Sequence, residues 1–310
     1  MTVNPILAFS ARRRMRSVRT ALLLTLYSLA VLIFGLAVAF GAFLKPQISI
    51  YTMMNGQSGY AAMMAFQFFL LLLVTPAMTA GAISGERERQ TLDLLLVTNT
   101  GSLRIVLGKL LESLGLMLLL IFATLPAMCL VLVTGSMTLA QVLVGLLFLG
   151  VTAFAMLSVG MLCSALLRRT VAATVAAYLA VFAIGLVTLL PLIGDVRSAG
   201  RMYDAVYSSY YSGPVAVIGA SDAPSGMRMA SFVFNPALGL MALIAAQTGL
   251  LRGTLSNYSY TMYEMYDYLD FAGMARLCMA FMASTGLALN LLAACFVRPR
   301  KARVRKGKKA

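Results

Sequence analysis

The sequence predicts an all-α polytopic membrane protein: six transmembrane helices, a short cytoplasmic helix after the second, and a long external connection between the fifth and sixth. Three observations predict this. The 310 residues are 61% hydrophobic and only 11% charged, against about 45–50% and 25% in ordinary soluble domains. The apolar residues gather in runs of about 20 or more, enough to cross roughly 30 Å of hydrocarbon at about 1.5 Å per helical residue. The basic residues gather at the ends of those runs. In lipid an unpaired backbone is costly, so the runs read as helices.

The first 20 residues hold Arg12, Arg13, Arg14, Arg16 and Arg19. Leu7, Ala11, Met15 and Val18 share one helical face and Arg12, Arg16 and Arg19 another, which predicts a cytoplasmic amphipathic helix over residues 1–20 at an anionic leaflet. The run that follows, Ala21 to Leu44, is longer than the roughly 7–15 apolar residues of a signal peptide, so it is expected to be a retained span. The other expected spans are Tyr60 to Ala82, Leu110 to Val133, Leu139 to Leu167, Val171 to Ile193 and Gly273 to Val297. Pro76 and Pro126 are expected to kink the second and third. Ala172, Ala173, Ala176 and Ala177 give the fifth a small-residue face, for packing inside one subunit or between two.

Charge sets the orientation. Most of the Lys and Arg lie before the first span, between the second and third, at Arg168 and Arg169, and in the tail 298–310. The positive-inside rule makes that side, with both termini, cytoplasmic. The connection 194–272 carries Asp195, Asp204, Asp222, Glu264, Asp267 and Asp270 and is expected outside. Its apolar run 231–251 contains Asn235-Pro236 and Gln247; if it crossed the membrane alone the basic tail would lie outside, so a re-entrant or interfacial segment is expected. Nine of the thirteen tyrosines fall in this connection, among them Tyr203, Tyr207, Tyr210 and Tyr211. They read as an interfacial aromatic belt or as an aromatic wall at an exit.

The net charge of +15 would suggest nucleic acid in a soluble protein; here topology accounts for it, and no nucleic-acid partner is expected. There is no histidine, which removes Ser-His and His-ligated metal chemistry. Cys129, Cys163, Cys278 and Cys295 sit inside apolar runs without CxxC spacing and read as small buried hydrophobes. No catalytic, metal or cofactor site is expected in this chain. A phosphate loop is absent too: Gly108-Lys109 is followed by Leu110, and Leu103 stands where the earlier glycine would be. A secondary transporter usually places ionisable groups at membrane depth. Only Glu112 and Arg276 come near, each close to a span end where its head can snorkel. An ion-coupled transporter and a non-transporting membrane component remain the alternative readings.

The loop after the second span reads GAISGERERQTLDLLLVTNTGS. Ser84 is expected as an N-cap, with Glu86 and Glu88 in the first turn of a helix over residues 84–98. Spacing suggests pairs of Arg89 with Glu86 and Asp93. Leu92, Leu95 and Leu96 form an apolar stripe, and Asn99 or Gly101 would end the helix in a left-handed turn. Such a stripe needs a partner, and the acids beside it disfavour the anionic leaflet.

The run ISGERERQTLDLLLVTNTGSLRIVLGK resembles the cytoplasmic coupling helix of permeases of the type-2 ABC exporter (ABC-2 type) family. The matching positions are Glu86, Arg87, Glu88, Thr91, Leu92, Asp93, Leu94, Leu95, Gly108 and Lys109, and the six-span layout matches as well. The connection 194–272 is longer than the minimal layout of that family. The resemblance implies a membrane-spanning permease in the cell (inner) membrane. It would work as a homo- or heterodimer, with ATP and Mg bound by a separate ABC ATP-binding subunit. It implies that Leu92, Leu95 and Leu96 would enter a groove of that subunit, with Glu86, Arg87 and Glu88 orienting the helix and Thr91 and Asp93 completing the interface.

Overall fold

The computed structural model describes residues 18–43, 50–91, 102–133, 137–188, 233–249 and 270–297. Among them all regular structure is helical. In chain order the helices are α1 (Val18–Phe43), α2 (Ile50–Thr79), α3 (Ser84–Glu88), α4 (Ser102–Ala123), α5 (Leu125–Val133), α6 (Leu139–Leu166), α7 (Thr170–Thr188), α8 (Pro236–Thr248) and α9 (Phe271–Phe296). Six helical stretches are long and apolar enough to cross a membrane, as the sequence predicts. The expected N-terminal surface helix, the basic tail, and most of the 194–272 connection with its acids and tyrosines lie outside the described residues.

The element boundaries show where sequence patterning is blunt. α2 begins at Ile50, ten residues before the expected span, because the stretch Asn55-Gly56-Gln57-Ser58-Gly59 is polar yet helical. Pro76 sits inside the continuous helix α2. The third span is two helices, α4 and α5, broken at Thr124 two residues before Pro126. The Thr124 hydroxyl accepts a hydrogen bond from Gln67 Nε2 at 2.6 Å and donates to the Ile121 carbonyl at 2.7 Å. The Thr124 hydroxyl thus serves the Ile121 carbonyl at the break and is itself met by a buried polar side chain of α2.

α6 is the most buried of the six long helices and α7 the least. Its neighbours are α2, α4, α8 and α9. Close packing follows from small residues, as expected where apolar lipid provides no hydrophobic drive between helices. A Cβ at Gly160 would meet the Thr79 side chain, so α6 and α2 touch at backbone range there. Along α9, Asn290 Nδ2 donates to Ser158 Oγ at 2.7 Å and Thr152 Oγ1 lies 3.7 Å from Met282 Sδ. These contacts run in the same direction along both helices, so α6 and α9 are parallel. Ala173 and Ala177 of α7 pack on Ala80, which places half of the small-residue face inside the subunit.

α8 has 13 residues, about 20 Å at 1.5 Å per residue, too short to cross roughly 30 Å of hydrocarbon. Asn235 caps it, with Oδ1 accepting from Ala237 N at 2.8 Å and Leu238 N at 3.4 Å, and Pro236 occupies the first turn. Gly249, at φ 62°, ends it in the left-handed region. Asn235 Nδ2 also donates to the Gly185 carbonyl of α7 at 3.2 Å, and Gly239 lies against Cys278 and Phe148. The other end meets the start of α6. Gln247 Nε2 donates to the Gln141 carbonyl and Gln141 Nε2 to the Gln247 carbonyl, both at 3.0 Å, while the Tyr60 hydroxyl donates to Gln247 Oε1 at 2.8 Å. α8 thus starts deep between α6, α7 and α9 and ends level with the first turn of α6, at the end of the bundle opposite α3.

Candidate functional site

The charged motif converges at one end of the bundle, where α2 ends, α4 begins, and α6 passes to α7. After Thr79 the chain turns through Gly81 and Ile83 into α3. A helix start leaves N–H groups without intrahelical acceptors. Ser84 does not cap them: it is the first helical residue, and its hydroxyl donates back to the Ala80 carbonyl at 2.8 Å. The acceptor is Ser164 of α6, whose Oγ takes the N–H groups of Ile83 and Ser84 at 2.9 and 3.0 Å. Ser84 and Ser164 are fully buried.

The three charged residues expected to orient this helix are engaged within the chain. Glu88 accepts from the Thr170 backbone N–H and the Thr170 hydroxyl, each at 2.9 Å, and so caps the N-terminus of α7. Those bonds hold its carboxyl below the usual glutamate range. Arg87 Nη1 donates to the Ala165 and Leu167 carbonyls at 3.3 and 3.5 Å, where the end of α6 leaves acceptors over. Glu86 receives Lys109 Nζ of α4 at 2.9 Å on Oε1 and the Thr91 hydroxyl on Oε2. Partial burial raises its carboxyl, but the Thr91 and Lys109 hydrogen bonds and the Lys109 charge outweigh it and leave the group lowered, with Arg89 adding by charge. α3 therefore caps α7, closes α6, pairs with α4 and is itself capped by α6.

α3 also ends earlier than the expected 84–98 helix. Gln90 is left-handed at φ 58°, its N–H donates to the Arg87 carbonyl at 3.1 Å, and the Thr91 N–H donates to the Glu86 carbonyl at 3.0 Å. This is a Schellman arrangement with glutamine where glycine is usual. The helix stops here because these bonds and the Thr91–Glu86 side-chain contact satisfy its last carbonyls locally, well before Asn99 or Gly101. The Glu86–Arg89 pair expected from spacing gives way to Thr91 and Lys109. Leu92, Asp93, Leu94, Leu95 and Leu96 lie outside the described residues.

Sequence reasoning assigned Glu86, Arg87, Glu88 and Thr91 to the site, and the structure brings all four together with Lys109. It missed Ser164 and Thr170. Thr170 carries a readable signal, a hydroxyl residue just ahead of an apolar run and after two arginines; Ser164, inside an apolar run, carries none. Among the described residues no cluster of metal-ligating side chains occurs.

A family model described as ABC-2 family transporter protein matches residues 7–201, more than half of the chain. The match takes in α1 to α7 and the whole charged junction. No curated protein matches the sequence.

Proposed function

Because the chain belongs to the ABC-2 family of transporter proteins, we propose that it is the membrane-spanning permease of an ATP-driven exporter. It works as a dimer with a separate ATP-binding subunit that supplies ATP and Mg. The observation that carries this reading is the fastening of α3 to α4, α6 and α7 through Glu86, Arg87, Glu88 and Ser164. A force applied to this element is delivered to three spans at once, as transmission from an external motor requires.

In this reading the turn at Gln90 presents the following segment, with Leu92, Leu95 and Leu96, to a groove of the ATP-binding subunit. Asp93 and Thr91 flank that contact. The charged triplet holds the element to the spans, and the leucines dock. The α3 end is cytoplasmic, as are both termini, and the protein resides in the cell (inner) membrane. α8 is then a re-entrant half-helix entered from the external side, its capped start sheltered from lipid by α6, α7 and α9.

The test is Leu92→Asp or Leu95→Asp. Both variants are expected to insert normally and to lose the ATPase activity that co-purifies with the parent chain; equal co-purification from parent and variants overturns the docking assignment.

A further inference from the structure

α7 is the least buried of the six long helices, yet side chains of two other elements grip it near both ends. At its start Glu88 of α3 accepts the Thr170 N–H and the Thr170 hydroxyl, each at 2.9 Å. From Thr170 to Gly185 the helix is unbroken, a rise of about 22 Å at about 1.5 Å per residue. There the Gly185 carbonyl accepts Asn235 Nδ2 of the α8 cap at 3.2 Å. Between these ends the Tyr178 hydroxyl donates to the Leu73 carbonyl at 2.6 Å, and Ala173 and Ala177 pack on Ala80. α7 is therefore aligned along α2 and fastened to α3 below and α8 above.

Asn235 is the meeting point of three helices. Its Oδ1 accepts from the Ala237 and Leu238 N–H groups. Those partners only donate and the Gly185 carbonyl only accepts, so the amide orientation is fixed by both sides. The Asn235 carbonyl in turn receives the Cys278 thiol of α9 at 3.9 Å. A serine would cap α8 as well but has no amide to reach Gly185.

Two helices join the α3 end to α8: α6, through Ser164 and Gln141, and α7, through Thr170 and Gly185. α6 is the most buried of the long helices, so displacing it means repacking α2, α4, α8 and α9 together. α7 has far less to repack, and a rigid helix bonded near both ends carries coupling between them. We propose that α7 is a connecting rod through which a displacement of α3 reaches the deep end of α8 and loosens it from α9. The drive rests on the ATP-coupled reading above; the mechanical link does not.

Cys278 reports on the far end, because its thiol is buried against Asn235 and Gly239. In the full chain with Cys129, Cys163 and Cys295 replaced by Ala, the rate of Cys278 alkylation by N-ethylmaleimide in detergent would be measured. Glu88→Ala, which cuts the α7 cap, should raise that rate severalfold, and Thr170→Ser, which keeps the hydroxyl, should leave it at the parent value. Asn235→Ser keeps a cap for α8 and removes the bond to Gly185; in that background Glu88→Ala should have no further effect. A rise by the same factor in both backgrounds would be general loosening of the bundle and overturns the proposal, as does an unchanged rate in Glu88→Ala. A second arm tests the drive. With the ATP-binding subunit co-purified, a non-hydrolysable ATP analogue should change the Cys278 rate in the parent and not in Asn235→Ser. No change in the parent, with the first arm as expected, would overturn ATP as the drive and leave the mechanical link standing.

Discussion

Lys109 Nζ lies 2.9 Å from Glu86 Oε1, joining the start of the third span to the short helix that follows the second. Each side chain keeps less than a third of its surface exposed, so the pair is neither a fully solvated surface bridge nor a buried one. Its worth to stability is modest, about 1 kcal/mol once the Thr91 hydrogen bond is included. Under the proposed function its mechanical role would be larger, because it is a charged link from α3 to α4.

Glu86→Lys and Lys109→Glu should each lower transport-linked ATPase activity strongly while costing only about 1–2 kcal/mol of stability, through like-charge contact and, in Glu86→Lys, loss of the Thr91 bond. The double exchange should recover a substantial part of the activity. Activity in the double variant no higher than in the worse single variant would show that the pair transmits nothing.

Gln90→Gly should stabilise the α3 turn by up to about 1 kcal/mol, since a left-handed non-glycine residue costs about 1–2 kcal/mol and glycine loses part of that gain to chain entropy. Gln90→Val should do the opposite. Thermal midpoints in detergent would check both signs; an unchanged midpoint in both variants would mean that the turn is not held left-handed.

At the far end, Gln247→Leu should cost about 1–2 kcal/mol by removing its bonds with the Tyr60 hydroxyl and the Gln141 carbonyl and leaving those two only their longer 3.4 Å contact with each other. Tyr60→Phe should cost less, about 1 kcal/mol. Both remove the same hydrogen bond, so the double variant should cost less than the sum of the singles. Strict additivity of the melting shifts would indicate that Tyr60 and Gln247 do not act together.

Orientation is checked by chemistry at two positions outside the described residues. In a chain whose four cysteines are replaced, Ser209→Cys and Thr254→Cys should react with an impermeant thiol reagent added to intact cells. Reaction only after the membrane is opened would invert the assignment of the 194–272 connection.

The spans were legible because membrane crossing leaves a long compositional mark: all six apolar stretches coincide with helices, from α1 at Val18–Phe43 to α9 at Phe271–Phe296. Their ends were less legible. Polar helical turns such as the one before Tyr60 carry no hydropathy signal, and the partner of the Thr124 hydroxyl at the break is Gln67, 57 residues away. The charged motif was found by its residues, yet local spacing proposed Arg89 for Glu86, whereas the contacts come from Lys109 and Thr91. Glu88 and Arg87 bond to residues 78 to 82 positions later. Partners that distant are fixed by how α6 and α7 pack, and no window along the chain contains them.

The cap supplied by Ser164 also orders events during synthesis. The first N–H groups of α3 wait for an acceptor made 80 residues later, a delay of roughly 4–16 s at about 5–20 residues per second. Until the fourth span is in the bilayer, α3 has neither its cap nor the α6 carbonyls that receive Arg87. A truncated or stalled product ending before that point carries Glu86, Arg87 and Glu88 but not the finished element. Under the proposed function, recruitment of the ATP-binding subunit to such a fragment would be disfavoured, and the contacts that hold the mature junction would also act as a completeness check on the nascent chain.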